Sequence, residues 1–159
     1  MSSEISSLFF ITSSSMALLH FASCSFMTGV IWVVQWILYP AFMQISPPEF
    51  QAFHRNHSQK ITFIVGPVMV IELLSAGALV YFSKGSVFFI FNLLSLILIW
   101  LCTFFLSIPL HAELERGQDL QKIIQLVKTN WLRTLFWSFR FIGLLIYFYS
   151  TSGVFYVHF

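Results

Sequence analysis

Long apolar stretches alternate with short polar ones along the chain. Four of the stretches are long and apolar enough to cross a bilayer as helices, which takes about 20 residues. They cover residues 14–43, 60–83, 86–110 and 130–150. No internal repeat or low-complexity tail divides them, so residues 1–159 are expected to form one domain. The pattern predicts an all-α integral membrane protein built as a four-helix bundle.

The polar connection after the first span carries a pattern for the start of a helix. Ser46 is followed by Pro47 and, three residues after the serine, by Glu49, which is the spacing of a capping box. A helix that begins at Pro47 is expected to continue into the second span. The step from Gly66 to Pro67 is where this helix would be kinked, because proline removes a backbone hydrogen bond.

The connection before the fourth span predicts a helix of its own. Gly117 is expected to end the third helix, and Asp119 offers an N-cap for the next one. In the following segment, DLQKIIQLVKT at 119–129, apolar residues fall on one helical face and polar residues on the other. This is typical of a short amphipathic helix that lies in the cytoplasmic interface of the membrane.

The basic residues predict the orientation of the chain. Six of the eight lie in or beside the first and third connections: Arg55, Lys60, Arg116, Lys122, Lys128 and Arg133. Lys84 alone lies in the second connection. Because short cytoplasmic loops are enriched in Lys and Arg, the first and third loops are expected in the cytoplasm and both termini outside. The expected location is a bacterial inner membrane.

Composition agrees with a protein whose main partner is the lipid bilayer. The chain is 58% hydrophobic and only 9% charged, whereas soluble domains carry about 25% charged residues. Its net charge of +2 is too small to indicate a nucleic-acid partner. The two cysteines, Cys24 and Cys102, fall in predicted spans at different depths, so both are expected to be free thiols.

Two ionisable residues lie deep inside predicted spans. Glu72 lies about 18 Å above Lys60, and Arg140 lies about 15 Å above Asn130, both measured along the helix axis from the cytoplasmic boundary. An unpaired charge at such depth costs at least a few kcal/mol. The similar depths predict an ion pair between Glu72 and Arg140, with a protonated, neutral Glu72 as the alternative.

Further polar residues are predicted to line a cavity that opens towards the cytoplasm. On span four, one helical face carries Asn130, Arg133, Trp137 and Arg140. On span one, another face carries Trp32, Gln35 and Tyr39. The upper wall of the cavity is expected to consist of Gln35, Glu72 and Arg140. Its mouth is expected to consist of His54, His57, His111 and Arg133. The alternative is structural, with the pair fixing helix register and the boundary residues meeting lipid headgroups.

The histidines are candidate ligands of haem b or of a divalent metal. His54, His57 and His111 are predicted to meet near the cytoplasmic boundary, although the H-x-x-H spacing alone is a weak metal signal. His20 lies alone in the outer half of span one, where a packed or hydrogen-bonded histidine is the expected reading. It would act as an axial ligand only together with a second ligand from elsewhere.

Several segments carry a resemblance to known proteins. These are WILYPAF at 36–42, HRNHS at 54–58, VGPVMVIE at 65–72, PLHAEL at 109–114 and TNWLRTLFWSFR at 129–140. Together they resemble a family of small, uncharacterised bacterial four-helix membrane proteins, which implies a fold but no activity.

A weaker likeness covers only the first span. LLH at 18–20, TGVIW at 28–32 and YP at 39–40 are similar to the opening helix of HemJ-type protoporphyrinogen oxidases, four-helix proteins like the copper-resistance-D group. That resemblance implies a haem-associated His20, although the arginine that usually follows the Tyr-Leu-Pro segment is missing here.

Three functions stay open on these observations, and the chain is not assigned as an enzyme. One is a haem- or metal-linked redox role on a lipophilic substrate. Another is a scaffold, as a homo-oligomer or a subunit of a membrane complex. The last is an oligomeric transporter of a small anion or proton that uses Glu72 and Arg140. Phosphate loops and the C-x-x-C, H-E-x-x-H and G-x-S-x-G motifs are missing, which disfavours ATP-driven and hydrolytic chemistry.

Overall fold

The computed structural model describes the backbone of residues 2–151 and the side chains of residues 12–151. All regular structure in this part of the chain is helical, as predicted. Four long helices follow one another: α1 at Ser2–Val33, α2 at Pro47–Phe82, α3 at Val87–Cys102 and α4 at Leu120–Thr151. Shorter turns extend two of them. Helix α1 continues through Val34–Leu38, Tyr39–Ala41 and Phe42–Gln44, and α3 continues through Thr103–Ser107 and Ile108–Leu114.

Three helical segments are long and apolar enough to cross a membrane. Among the described residues they are Thr12–Gln44, Pro47–Phe82 and Val87–Leu114, and they cover the first three predicted spans to within one residue. Helix α4 contains the fourth predicted span, but Arg133 and Arg140 lower its hydropathy. The length and apolar composition of these three segments indicate an integral membrane protein.

The long helices pack in a ring in which each has two neighbours. Helix α1 contacts α2 and α4, and α3 contacts the same two helices. Buried side chains from all four meet at the centre, among them Met27, Leu79, Leu96 and Trp137. Large apolar side chains also cover the outside, including Phe63, which is 82% exposed. An apolar exterior of this extent needs an apolar environment, because water-soluble monomers rarely expose such surfaces.

Two wide helical turns lie directly before prolines. Val34–Leu38 and Thr103–Ser107 are π-helical, and they precede Pro40 and Pro109 by one residue. A proline lacks the N–H and crowds the carbonyl four residues earlier, which an α-helical turn does not accommodate. In the π turns the residue before each proline bonds five residues back instead, so the helices continue without a break.

Helix α2 also continues without interruption through Pro67. His54 and Glu72, 18 residues apart on this helix, are both buried, as expected for one continuous face. The helix begins at Pro47 as predicted, but the capping box does not form. The Ser46 hydroxyl donates to the Glu49 carboxylate, and the Glu49 N–H bonds the Ser46 carbonyl at 3.0 Å.

The predicted interfacial helix between spans three and four does not exist as a separate element. Gly117, at φ +151°, follows the third helix, and Asp119 caps the next one through bonds to the Gln121 and Lys122 N–H groups at 2.8 and 3.2 Å. That helix, however, runs straight through to Thr151. No glycine or proline interrupts it before the fourth span, and its buried face is continuous from Ile123 onwards.

Candidate functional site

A cluster of buried side chains joins the four long helices. We call it the central cluster, and it consists of His20, Glu72, Ser75, Asn92, Trp137 and Arg140. Arg140 Nη1 donates to Glu72 Oε1 at 2.7 Å, which confirms the ion pair predicted from depth. Trp137 Nε1 donates to the other Glu72 oxygen at 3.2 Å, and Arg140 Nε and Nη2 donate to Asn92 Oδ1 at 3.2 and 3.1 Å. Glu72 and Arg140 therefore hold each other in a satisfied network.

His20 belongs to the central cluster as a hydrogen-bonded side chain. Its Nδ1 lies 3.0 Å from Ser75 Oγ, and its Nε2 lies 3.0 Å from Asn92 Oδ1 and 3.3 Å from Arg140 Nη2. The ring is fully buried. Both nitrogens are occupied by protein groups and an arginine cation is adjacent, so His20 does not fit an axial haem ligand. The expectation of a packed, hydrogen-bonded histidine is confirmed.

Gln35 lies in a second polar group, separate from Glu72. Its Oε1 accepts from Asn130 Nδ2 at 2.8 Å, and its Nε2 donates to the Val127 carbonyl at 3.2 Å. This ties the wide turn of α1 to α4. Trp32, predicted on the same stripe, lies instead at the outer surface and donates from Nε1 to Ser138 Oγ at 3.0 Å. The π turn that begins at Val34 changes the helical phase that the predicted stripe assumed.

Two of the three boundary histidines meet, together with a tyrosine. His54 Nε2 lies 2.9 Å from His111 Nδ1, and His111 Nε2 lies 3.1 Å from Tyr39 OH. His57 stays apart from this chain and packs its ring against Phe53. Among the described residues, no group of three or more His, Cys, Asp or Glu side chains is arranged to hold a metal ion. With both His111 nitrogens occupied, these histidines do not fit the predicted metal or haem site.

A cavity of about 220 Å³ lies between α1, α2 and α3, in the halves of these helices nearer the first and third connections. We call it the interhelical cavity. Most of its lining is apolar, and its polar groups come chiefly from Tyr39, Trp100, Ser107, His111 and Arg133. Both wide turns contribute to its walls. His57 also lines it, but Gln35, Glu72 and Arg140 do not. The single polar cavity predicted from the sequence is therefore wrong: its supposed upper wall is closed into separate clusters.

Arg133 is a buried cation without a carboxylate partner. It is 8% exposed, and no Asp or Glu among residues 12–151 forms an ion pair with it. Its Nη1 donates to Ser107 Oγ at 3.1 Å and to Asn130 Oδ1 at 3.3 Å, and its guanidinium carbon lies 5.4 Å from the centre of the Trp137 ring. Its Nε is buried without a hydrogen-bond partner.

A second donor without a partner lies on the same cavity. Trp100 Nε1 is buried and bonds no protein group. Buried donors in proteins are almost always satisfied, and each one left unmade costs about 1–3 kcal/mol. Trp100 and Arg133 come from different helices and line one space. Hydrogen-bond donors and a positive charge therefore face one cavity. Such a site is suited to a negatively charged hydrogen-bond acceptor from outside the chain.

Two further hollows share lining residues with the interhelical cavity. Val30, Val34 and Ile61 also line an almost wholly apolar groove of about 470 Å³ between α1 and α2. His111 also lines a hollow of about 240 Å³ between α2 and α3, where Glu115 is located. The cavity thus adjoins an apolar groove on the bundle surface and a more polar hollow near the connections.

Sequence reasoning missed several of these residues. Asn92 joins His20 to Arg140 and Trp100 lines the cavity, although neither was singled out. Asn92 is the only amide in Val87–Cys102, and that isolation was a usable signal for a buried polar contact. Trp100 carried no comparable signal, because tryptophan is frequent in apolar spans. The two free cysteines, Cys24 and Cys102, were predicted correctly.

Comparisons of the chain with models of known protein families, with curated proteins and with solved structures gave no match.

The buried pair predicts a strong, non-additive effect on stability. Glu72→Gln and Arg140→Gln should each lower the free energy of unfolding by roughly 3–5 kcal/mol, because each leaves the other charge buried and unpaired. The double variant should lose much less than the sum of the two. Reversible unfolding in mixed detergent micelles measures all three. Glu113→Gln is the control, because its ion pair with Lys122 (2.6 Å) lies at the surface. Additive losses would contradict the pairing.

Proposed function

We propose that this protein binds a lipophilic anion, with its head group in the interhelical cavity and its tail in the adjoining apolar groove. The observation that carries the proposal is Arg133, a buried and unpaired cation at the wall of that cavity. The chemical class is an acyl carboxylate. A lipophilic substrate was one of the functions left open by the sequence. The cation at the cavity wall adds that the ligand is negatively charged.

Charge accounting favours an anion over a neutral ligand. An isolated cation removed from water costs several kcal/mol, and the polar neighbours of Arg133 supply only neutral oxygens. Arg140, in contrast, has Glu72. A carboxylate in the cavity would give Arg133 the same compensation and would accept from Trp100 Nε1. Charge-assisted bonds of this kind are about twice as strong as neutral ones.

The size and polarity of the spaces favour a ligand with an apolar tail. The cavity of about 220 Å³ lies below the range of about 300–1,000 Å³ that is usual for small-molecule sites. Val30, Val34 and Ile61 connect it to the groove of about 470 Å³, which brings the combined site into that range. The groove has almost no polar surface, so it suits a hydrocarbon chain that enters from the lipid.

The proposal includes four spans in a bacterial inner membrane. Helix α4 has the length to cross, and its Arg133 and Arg140 face the helical ring and not the lipid. The first and third connections then lie in the cytoplasm, following the distribution of basic residues.

Topology is tested by labelling single cysteines in a variant with Cys24 and Cys102 replaced by serine. Lys84→Cys and Ser150→Cys should react with an impermeant maleimide in intact cells, because both positions are expected outside. Arg116→Cys should react only after the membrane is permeabilised. Labelling of the Ser150 position only after permeabilisation would contradict a fourth span.

Binding is tested with radiolabelled dodecanoate and the protein in nanodiscs of uncharged lipid, with empty nanodiscs as the blank. Arg133→Gln should weaken binding about 100-fold, because the charge-assisted contact is lost. Trp100→Phe should weaken it about tenfold, since only one N–H group is removed.

Arg116→Gln is the matched control for charge, because Arg116 lies on the exposed third connection and away from the cavity. It should bind dodecanoate as the unchanged protein does. Dodecanol, which has the same chain without the charge, should bind poorly and should not distinguish Arg133→Gln from the unchanged protein. Equal dodecanoate affinity for the Arg133 and Arg116 variants would contradict the proposal.

A further inference from the structure

The interhelical cavity has an unusual polar neighbour, a chain of three side chains that leads away from it. Tyr39 lines the cavity, its hydroxyl lies 3.1 Å from His111 Nε2, and His111 Nδ1 lies 2.9 Å from His54 Nε2. The far nitrogen of His54, Nδ1, is buried and has no hydrogen-bond partner. Each of the three groups can donate and accept, so the chain is continuous for proton exchange.

We propose that Tyr39, His111 and His54 form a proton relay between the acyl carboxylate bound beside Arg133 and the face of the protein near the first and third connections. This inference rests on the function proposed above. It adds that the ligand arrives from the lipid as the neutral acid and is held in the cavity as the anion. An acid in hydrocarbon is neutral because burial disfavours its charge, whereas a neighbouring cation favours the charged form.

The relay has two neutral states that differ only in the positions of its protons. In one, Tyr39 donates to His111 Nε2, His111 Nδ1–H donates to His54 Nε2, and His54 carries its own proton on Nδ1. In the other, both donations run the opposite way, His54 Nδ1 carries no proton, and the Tyr39 hydroxyl points its proton into the cavity. The measured distances are compatible with both directions.

Binding converts the first state into the second. The acid O–H bond breaks and its proton passes to the Tyr39 oxygen, while the tyrosine proton passes to His111 Nε2. The proton on His111 Nδ1 passes to His54 Nε2, and the proton on His54 Nδ1 passes to a water molecule that has to enter beside the ring, because Nδ1 is buried. One proton enters and one leaves, so every relay residue stays neutral. The carboxylate then pairs with Arg133 and accepts from Tyr39.

The charged and titratable groups around the relay are consistent with this direction of transfer. The positive charge of Arg133, on α4, acts on both Tyr39 and His111: it opposes a positive charge on His111 and favours loss of a proton from Tyr39. His57, on α2, lies close to both relay histidines, and Glu115, beyond the third helix, acts on His54 with a negative charge. Positive potential at the cavity end and negative potential at the His54 end favour movement of a proton away from the cavity.

The packing around His54 explains how its ring is held in line. The ring is fully buried, stacks on Phe50 at 5.5 Å between centres and contacts Phe42 edge-on at 5.4 Å. The His111 ring meets it edge to edge, with the ring centres 5.2 Å apart and the planes tilted by 27°, as the N···N contact requires. His57 occupies the same helix one turn later but has no hydrogen bond to the chain. A purely structural histidine would not need Nδ1 left without a partner in this packed position.

The test compares proton release with ligand binding in the full-length protein in nanodiscs. Dodecanoic acid is mixed rapidly with the protein in weakly buffered, mildly acidic solution, and a pH-indicator dye follows the released proton. In the unchanged protein, release should keep pace with binding. In His54→Gln, which keeps a hydrogen-bonding side chain but no relay, release should slow by about 100-fold. His54→Ala should show the same defect, and added imidazole should restore the rate.

Dodecanesulfonate separates this inference from the function it rests on, because it is a permanent anion with no proton to give. It should bind to the unchanged protein and to His54→Gln equally well, without proton release. Equal rates of dodecanoate-linked release in His54→Gln and the unchanged protein would overturn the relay and leave anion binding standing. Failure of both ligands to bind the unchanged protein would overturn both.

Discussion

The structure depends on the cost of placing charged side chains in an apolar environment. Glu72 and Arg140 are acceptable inside the helical ring only because they are paired with each other and hydrogen-bonded to Trp137 and Asn92. The central cluster takes residues from all four long helices, so it fixes their register as well as their contact. Arg133 breaks the same rule two turns away, because no carboxylate among residues 12–151 pairs with its charge. The two arginines therefore differ in role: Arg140 belongs to a complete structural cluster, whereas the charge of Arg133 is left for a ligand to neutralise.

Proline shapes the space beside Arg133. Pro40 and Pro109 impose wide turns on the first and third helices, and both turns face the interhelical cavity. A regular α-helix through these positions would present different residues to the cavity, since a π turn holds one more residue than an α turn. The same turns carry Tyr39 and Ser107 into place. The irregular backbone is thus located where the unsatisfied donors are, which is common at functional sites.

The sequence was sufficient for features that depend on local composition and on depth. Apolar runs predict the helices, and similar depth in the membrane predicts the Glu72–Arg140 pair. Predictions that assumed a regular α-helix were less accurate. Trp32 was predicted on the same helical face as Gln35, but it lies at the outer surface because the π turn changes the direction of the following side chains. The prediction of a separate interfacial helix was wrong, because the apolar face of this segment is the first part of the buried face of α4. The separation of the polar residues into distinct clusters follows from three-dimensional packing, which spacing along one helix does not contain.

The central claim is that a lipophilic anion occupies the cavity and the groove together. Photolabelling in native membranes, with a dodecanoic acid that carries a diazirine on its chain, tests it most directly, because mass spectrometry then identifies the labelled residues. We expect label on Val30, Val34 and Ile61, reduced by unlabelled dodecanoate and lost in Arg133→Gln. Label spread over outward-facing residues such as Phe63, and unchanged in that variant, would contradict the account.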